Sequence, residues 1–166
     1  MPEGPSIVIL KEELQPFRKK KVIAVGGNAK IDLDRMLDHR VKDFRSWGKH
    51  LLIVFKDFFI RIHLLMWGSY RVNEKKDIAP RLHLLFNDGE INFYNCSVKL
   101  VEDDVETHYN WKADVMSDEW SPSQAEKALK KLSGVQVCDA LLNQEIFAGV
   151  GNIIKNEVLF RIKVHP

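Results

Sequence analysis

Cysteine is almost missing from this chain. Cys96 and Cys138 are the only two, far apart and outside any Cys-x-x-Cys spacing. A disulfide framework and a cysteine-built zinc site are both unsupported on that count. A surplus of one charge is missing as well. Lys and Arg number 25 against 23 Asp and Glu, a net of +2, so no strong global field favours a polyanionic partner. The local run Arg18-Lys19-Lys20-Lys21 fits a solvated turn more readily than a nucleic-acid contact. No apolar run approaches bilayer length. Glu3 and Lys11 flank a short apolar stretch near the start, and no small-residue cleavage site follows it. A reduced, cytoplasmic protein without a membrane partner is expected. Internal repeats and low-complexity tracts are absent too.

What is present suits one large domain or two small ones: 166 residues, 45% of them hydrophobic, are enough for a true core. Residues 4–16 place Ile7, Leu10 and Leu14 on one side and Glu12 and Glu13 on the other, an amphipathic helix started by Pro5. From 22 to 101 the texture becomes that of strands, at 22–25, 40–44, 50–55, 59–64, 68–72, 81–86 and 91–94. Asn87-Asp88-Gly89-Glu90 predicts a hairpin, with Asp-Gly supplying positive φ. Residues 102–117 are acidic and irregular and read as a linker. Helices resume at 125–132, started by Ser121-Pro122-Ser123-Gln124, and continue at 138–147 and 153–162. The predicted class is α+β. A leading helix and an antiparallel β-sandwich form a domain over 1–116, and a helical domain follows over 117–166.

Four segments carry chemistry. Met1-Pro2-Glu3-Gly4-Pro5 would expose Pro2 once the methionine is removed. A secondary amine attacking an aldehyde-like carbon gives an iminium directly, and an α-amino pKa of about 8 leaves much of it neutral. By itself the segment better describes a frayed terminus, until other motifs agree with it. Arg45-Ser46-Trp47-Gly48-Lys49-His50 is a glycine turn feeding a lysine into an apolar strand, either a phosphate contact or a snorkelling side chain. His63-Leu64-Leu65-Met66-Trp67-Gly68-Ser69-Tyr70 is either a core strand end or a loop whose Met66 and Trp67 wedge into a base stack. In Phe147-Ala148-Gly149-Val150-Gly151-Asn152, a glycine turn precedes a helix that Asn152 would cap. Its free N–H groups suit a phosphate, although an ordinary αα-hairpin has the same pattern.

Taken together, in this order and across essentially the whole chain, the segments resemble the formamidopyrimidine-DNA glycosylase and endonuclease VIII family of DNA repair enzymes. The resemblance implies a helix-headed β-sandwich followed by a helix–two-turns–helix DNA-binding domain. It also implies a base-excision glycosylase with abasic-site lyase activity, acting through a Schiff base on Pro2 and then β/δ-elimination. Glu3 would move protons during ring opening. Lys49, Asn152 and Gly151 would hold phosphates, with Lys49 also counted in the catalytic set, and Leu65, Met66 and Trp67 would fill the space left by the extruded nucleotide.

The implied partner is damaged double-stranded DNA, bound by a monomer of bacterial type that is nucleoid-associated when bound. The Glu-Gly-Pro start resembles the endonuclease VIII branch. Phe93-Tyr94-Asn95-Cys96-Ser97-Val98 lacks the Arg-Arg-Phe of the purine-lesion branch, so oxidised pyrimidines are the implied substrates. Against that branch, the methionine at the wedge echoes the purine-lesion enzymes. Ser6 stands where most members carry a second glutamate. Members also continue past His165-Pro166 into further helices and a zinc finger, or a zinc-free equivalent, bearing a phosphate-gripping arginine. With the helical domain cut short in this way, no cofactor is expected in this chain, and zinc only alongside such a finger. A non-catalytic binder of damaged or abasic DNA, or an inactive fragment, is the alternative. A helix–two-turns–helix protein of unrelated function ranks last, since it leaves Pro2-Glu3 and Lys49 unexplained.

Overall fold

Pro5 lies in the first turn of α1 (Gly4–Glu13), where its missing N–H has no intrahelical partner to lose. The computed structural model describes residues 2–165; Met1, with its expected removal, and Pro166 lie outside the described residues. Ile7, Leu10 and Leu14, spaced three and four apart, are fully buried, while Glu12 and Glu13 stay exposed. This apolar stripe seats α1 against β2 (Asp43–Trp47) and β3 (His50–Val54).

The remaining strands are β1 (Ala24–Gly26), β4 (Phe59–His63), β5 (Ser69–Val72), β6 (Leu82–Phe86), β7 (Gly89–Tyr94) and β8 (Ser97–Val101). They form two antiparallel sheets, in the orders β1-β6-β7-β5 and β2-β3-β4-β8. Phe44, Leu51, Ile53, Ile60 and Ile62 of one sheet meet Leu82, Leu84, Phe86, Ile91 and Phe93 of the other, and α1 adds Ile7, Leu10 and Leu14 to the same core. Each large side chain buried there contributes about 1.5–3 kcal/mol.

Four expectations change at this level. β8 went unpredicted: its alternation is weak, and Lys99 stands exposed in mid-strand. The hairpin at Asn87-Asp88 exists, with Phe86 opposite Gly89, but none of these turn residues has positive φ. Gly89 is required for space instead, because a Cβ there would run into the Asn73 side chain and reach the Phe17 ring at 3.0 Å.

Residues 102–117 are no slack linker. They hold α2 (Val105–His108) and a 3-10 turn at Trp111–Ala113, and they bury Val105, Tyr109 and Trp111 on Leu52, Val54 and Phe59. This strap explains why β3 is buried on both faces. Finally, the helix expected at 138–147 stops at Leu142. Asn143 turns the chain, its carbonyl accepting from Ile146 and Phe147 N–H.

The helical region comprises α3 (Pro122–Leu129), capped by the Ser121 hydroxyl, then α4 (Val137–Leu142), two turns, and α5 (Asn152–Ile162). The chain is thus α+β, a helix-headed sandwich followed by a helix–two-turns–helix element. No helix among the described residues is long and apolar enough to cross a membrane.

Candidate active site

Three glycines bring the distant segments together. Gly48, at φ +54°, lets the β2–β3 turn approach Gly149, and a Cβ there would lie 2.9 Å from the Gly149 nitrogen. Gly149, at φ +100°, in turn faces Gly4, where a Cβ would come within 3.2 Å of the Gly4 Cα. Gly4 N–H donates to the Gly149 carbonyl at 2.9 Å. The N-terminus, the Lys49 turn and the loop before α5 therefore meet backbone to backbone, a proximity that side chains would prevent.

Glu3 sits at this junction, 4% exposed. By position it is the N-cap of α1, yet its side chain caps α5. Oε1 accepts from Ile153 N–H at 2.8 Å, and Oε2 accepts from Gly151 at 3.2 Å and Ile154 at 3.1 Å. A buried carboxylate on a helix N-terminus satisfies donors that have no intrahelical partner and faces the positive end of the helix dipole.

Two expectations are corrected here. Gly151 N–H is not free for a phosphate, because Glu3 holds it. Asn152 does not cap α5 either: it is the first helical residue, its side chain exposed, and Gly151 is the N-cap. Gly149 N–H is likewise engaged, donating to Gln144 Oε1 at 3.1 Å.

Lys49 lies at the β2–β3 turn, half-buried and without an ion pair among the described residues. Beside it is His63. Burial first, then the charges of Lys49 and Arg61, hold the His63 imidazole below its ordinary value. His50, opposite His63 in the ladder, is pushed down to about 3 by burial, then by Arg61, His63, His108 and Lys99. Behind the turn, Asp114 is 2% exposed and accepts from Met116 N–H at 3.0 Å. Burial raises its carboxyl above the usual range, against the opposing pull of the Met116 and Gly48 backbone N–H groups and the Lys11 charge.

Pro2 is half-buried on the wall of a groove of about 570 Å³ that runs along α1. Ser6, Ile9 and Glu13 continue that wall, and Leu64, Tyr70 and Glu74 face it. At the far end the Tyr70 hydroxyl donates to Glu13 Oε2 at 2.6 Å. Burial, followed by the Glu13 carboxylate, raises the Tyr70 phenol to about 12. Leu65, Met66 and Trp67 form the tip of the β4–β5 loop above, and Trp67 is 80% exposed. The turn closes through Gly68 N–H on the Leu64 carbonyl at 2.7 Å.

Pro2, Glu3 and Lys49 thus stand around one junction, with Asn152 at its helical side and the apolar tip across the groove. Sequence reasoning missed Asp114, Gln144, His63 and Tyr70. Only the glycines Gly48 and Gly149 signalled the close approach, which Gln144 fastens at Gly149. For zinc the described residues offer no fitting donor set: Cys96 is buried in the core, Cys138 lies on α4, and no three His, Cys, Asp or Glu side chains gather.

A helix-headed double sheet joined by a glycine junction to a helix–two-turns–helix element defines a known class. Residues 1–100 match the formamidopyrimidine-DNA glycosylase N-terminal domain, and residues 113–166 match the formamidopyrimidine-DNA glycosylase H2TH domain. The chain belongs to this family, in its endonuclease 8-like branch. It is 33% identical over 148 residues to endonuclease 8-like 3 of Bos taurus, covering 84% of this chain and 24% of that protein. To endonuclease 8-like 2 of Mus musculus it is 39% identical over 152 residues, covering 91% and 41%. The chain therefore spans less than half the length of either relative. The fold matches Lactococcus lactis formamidopyrimidine-DNA glycosylase, solved with DNA containing an AP site, at a TM-score of 0.84 and 23% identity. That match covers 99% of this chain and 70% of that one.

Proposed function

We propose that this chain carries the catalytic centre of a DNA glycosylase with abasic-site lyase activity, acting in base excision repair on oxidised bases, pyrimidines foremost. The observation that carries the reading is Pro2 on the groove wall, next to a Glu3 locked onto α5 and beside the Lys49 turn. Family membership supports the glycosylase class, and the Glu-Gly-Pro start supports the pyrimidine preference.

With Met1 removed, the Pro2 nitrogen attacks C1′ and the glycosidic bond breaks toward the base. The ring oxygen takes a proton as the sugar opens, leaving a C1′ iminium. Glu3, the adjacent carboxyl group, serves that proton transfer. The iminium acidifies C2′; loss of a C2′ proton expels the 3′ phosphate, and a second elimination expels the 5′ phosphate. Water then releases Pro2. Lys49 and the Asn152 side chain hold phosphates around the lesion, and the loop tip Leu65, Met66 and Trp67 enters the vacated stack. Residues 1–116 form the catalytic unit and 117–166 the DNA-binding unit, acting on damaged duplex as a monomer.

The test is borohydride trapping on duplexes carrying an abasic site or an oxidised pyrimidine, with the crosslinked peptide mapped. A crosslink at Pro2 on both is expected. Its absence on both, with DNA still bound, would replace this reading by a second one. In that second reading the chain is a non-catalytic binder of damaged DNA, and Ser6 favours it: a serine on the groove wall cannot act as a base near neutral pH.

A further inference from the structure

The outer face of the first sheet carries a cavity that the site at Pro2 does not use. The ladder register sets Gly26, His83, Asn92 and Arg71 in one row across β1, β6, β7 and β5. Partners directly opposite share a face, and the other face of this sheet holds the core residues Leu82, Leu84, Ile91 and Phe93. The β5–β6 loop, residues 73–81, returns over the row. Asn92 Nδ2 ties it down by donating to the Glu74 carbonyl at 2.9 Å, and the Tyr94 hydroxyl accepts from Lys76 N–H at 3.0 Å. Between loop and sheet lies a cavity of about 270 Å³, floored by Gly26, His83 and Asn92 and roofed by Lys76, Ile78 and Pro80.

Two residues give this cavity the character of a binding site. Asn92 is 1% exposed, yet its amide makes a single protein hydrogen bond, through Nδ2. No side-chain nitrogen or oxygen among the described residues is both sealed off and unpartnered, so Asn92 Oδ1 opens into the cavity that the residue lines. A buried amide left half-used costs stability until something in the cavity completes it. Gly26 is the second residue. It does not have positive φ, and a Cβ there would meet His83 at an ordinary 3.6 Å, so neither backbone nor packing requires glycine. A side chain at this position would instead take up the floor of the cavity.

We propose that this cavity binds an unpaired nucleobase, at a site separate from the groove beside Pro2. The Asn92 amide presents a donor and an acceptor side by side, the complement of the adjacent acceptor and donor on a base edge. Ile78 and Pro80 supply apolar walls for a flat ring, and Tyr94 closes one end. The volume falls just below the roughly 300 Å³ at which pockets for drug-sized ligands begin, which suits one ring system and shuts out a folded peptide. At the rim the Lys76 ammonium, which has no ion pair among the described residues, donates to Ser69 Oγ at 2.7 Å and can also meet a nucleotide phosphate. A cationic ligand fits less well. No carboxylate lines the cavity, and Glu90 beside it is already held by Lys75 at 3.2 Å and His83 at 2.8 Å. The base belongs either to a free nucleotide or to an unstacked position in a single strand, and the recognition chemistry is the same for both.

The experiment is calorimetric titration of the full chain with deoxynucleoside 5′-monophosphates, inorganic phosphate, and two short single strands, one bearing bases and one built wholly of tetrahydrofuran spacers. At least one base-bearing ligand should bind. Gly26→Val, which fills the floor, should abolish that binding, and Asn92→Leu should weaken it about 10-fold or more. Lys130→Gln, a paired lysine on α3, should change nothing. A loss in Gly26→Val confined to the monophosphates assigns a free nucleotide, and a loss on the base-bearing strand assigns an unstacked base; either supports the pocket. Unchanged affinity in Gly26→Val, or no binding by any base-bearing ligand, overturns it. A loss shared equally by inorganic phosphate and the spacer strand overturns it too, in favour of a plain anion site. If Asn92→Leu loosens the loop by giving up the Glu74 bond, Gly26→Val decides alone, since its Cβ meets no clash. Trapping at Pro2 is scored in the same variants and should not change, so the pocket and the glycosylase reading fail separately.

Discussion

The junction under Pro2 and the tip of the β4–β5 loop face each other across the groove and are built on opposite terms. At the junction the buried carboxylates and the Gln144 amide are committed to backbone N–H groups. Glu3 takes the N–H groups of Gly151, Ile153 and Ile154, Asp114 takes Met116, and Gln144 takes Gly149. At the tip, Leu65, Met66 and Trp67 stand in solvent, with Leu65 held at φ 55° by the tight turn to Gly68. The first region is rigid because its parts satisfy one another. The second carries apolar surface that folding alone leaves uncovered, the condition of a surface that finds its partner outside the molecule.

Breaking the junction at its nucleophile should have the largest effect. Acylation of the Pro2 nitrogen, by retained Met1 or by reagent, turns the amine into an amide, and borohydride trapping should fall to background. A crosslink that persists and maps to a lysine would move the nucleophile elsewhere. Next in size is Glu3→Gln. Its amide presents N–H toward backbone donors, so both proton transfer and the α5 cap suffer. Base excision in single-turnover assays should drop about 100-fold or more, with nicking at preformed abasic sites less affected. Urea titration should show about 1–2 kcal/mol of lost stability. Equal losses in excision and nicking would reduce Glu3 to a structural cap.

The pH dependence sharpens the contrast further. His50 lies beside the junction, and its folded pKa of about 3 is below the ordinary 6.5. Above 6.5 the ring is neutral in folded and unfolded chains alike. As pH falls from 6.5 toward 3 the unfolded chain takes a proton that the folded one refuses. Stability is therefore present above 6.5 and lost on acidification, at up to about 1.4 kcal/mol per pH unit. His63, also depressed, acts in the same direction. Urea midpoints between pH 7 and 4.5 should decline less steeply in His50→Gln; an unchanged decline would place the acid sensitivity in other groups. The smallest change in stability belongs to the tip. Trp67→Ala should alter it by no more than about 0.5 kcal/mol, while affinity for duplex with an abasic gap weakens. A large loss of stability there would mean that the tip is packed rather than free.

Much of this was legible beforehand where the signal was local. The 3–4 spacing of Ile7, Leu10 and Leu14 marked α1 and its buried face, and the Ser121-Pro122 start marked α3. Alternating apolar residues marked seven of the eight strands found among the described residues. The eighth, β8, was lost because its exposed Lys99 and its edge position weaken the pattern. The strap was misread because Glu102, Asp103 and Asp104 mask the Val105, Tyr109 and Trp111 that pack behind them. The site followed the same division: Pro2, Glu3 and Lys49 were singled out by residue type and context, and they do converge.

Their arrangement came from elsewhere in the fold. The sequence by itself determined the elements, since periodicity, caps and turn residues act over a few positions. It also supplied the chemistry of the groups, a would-be secondary amine beside a carboxylate and a lysine on a glycine turn. The tertiary structure alone decided that Gly151 and the first turn of α5 give their N–H groups to Glu3, 148 to 151 residues away, and not to a phosphate. It also decided that Gln144 fastens the loop before α5 through Gly149 N–H and Val150 carbonyl. A hydrogen bond is satisfied by whatever donor or acceptor the fold brings within about 3 Å, and no local pattern records which partner that will be.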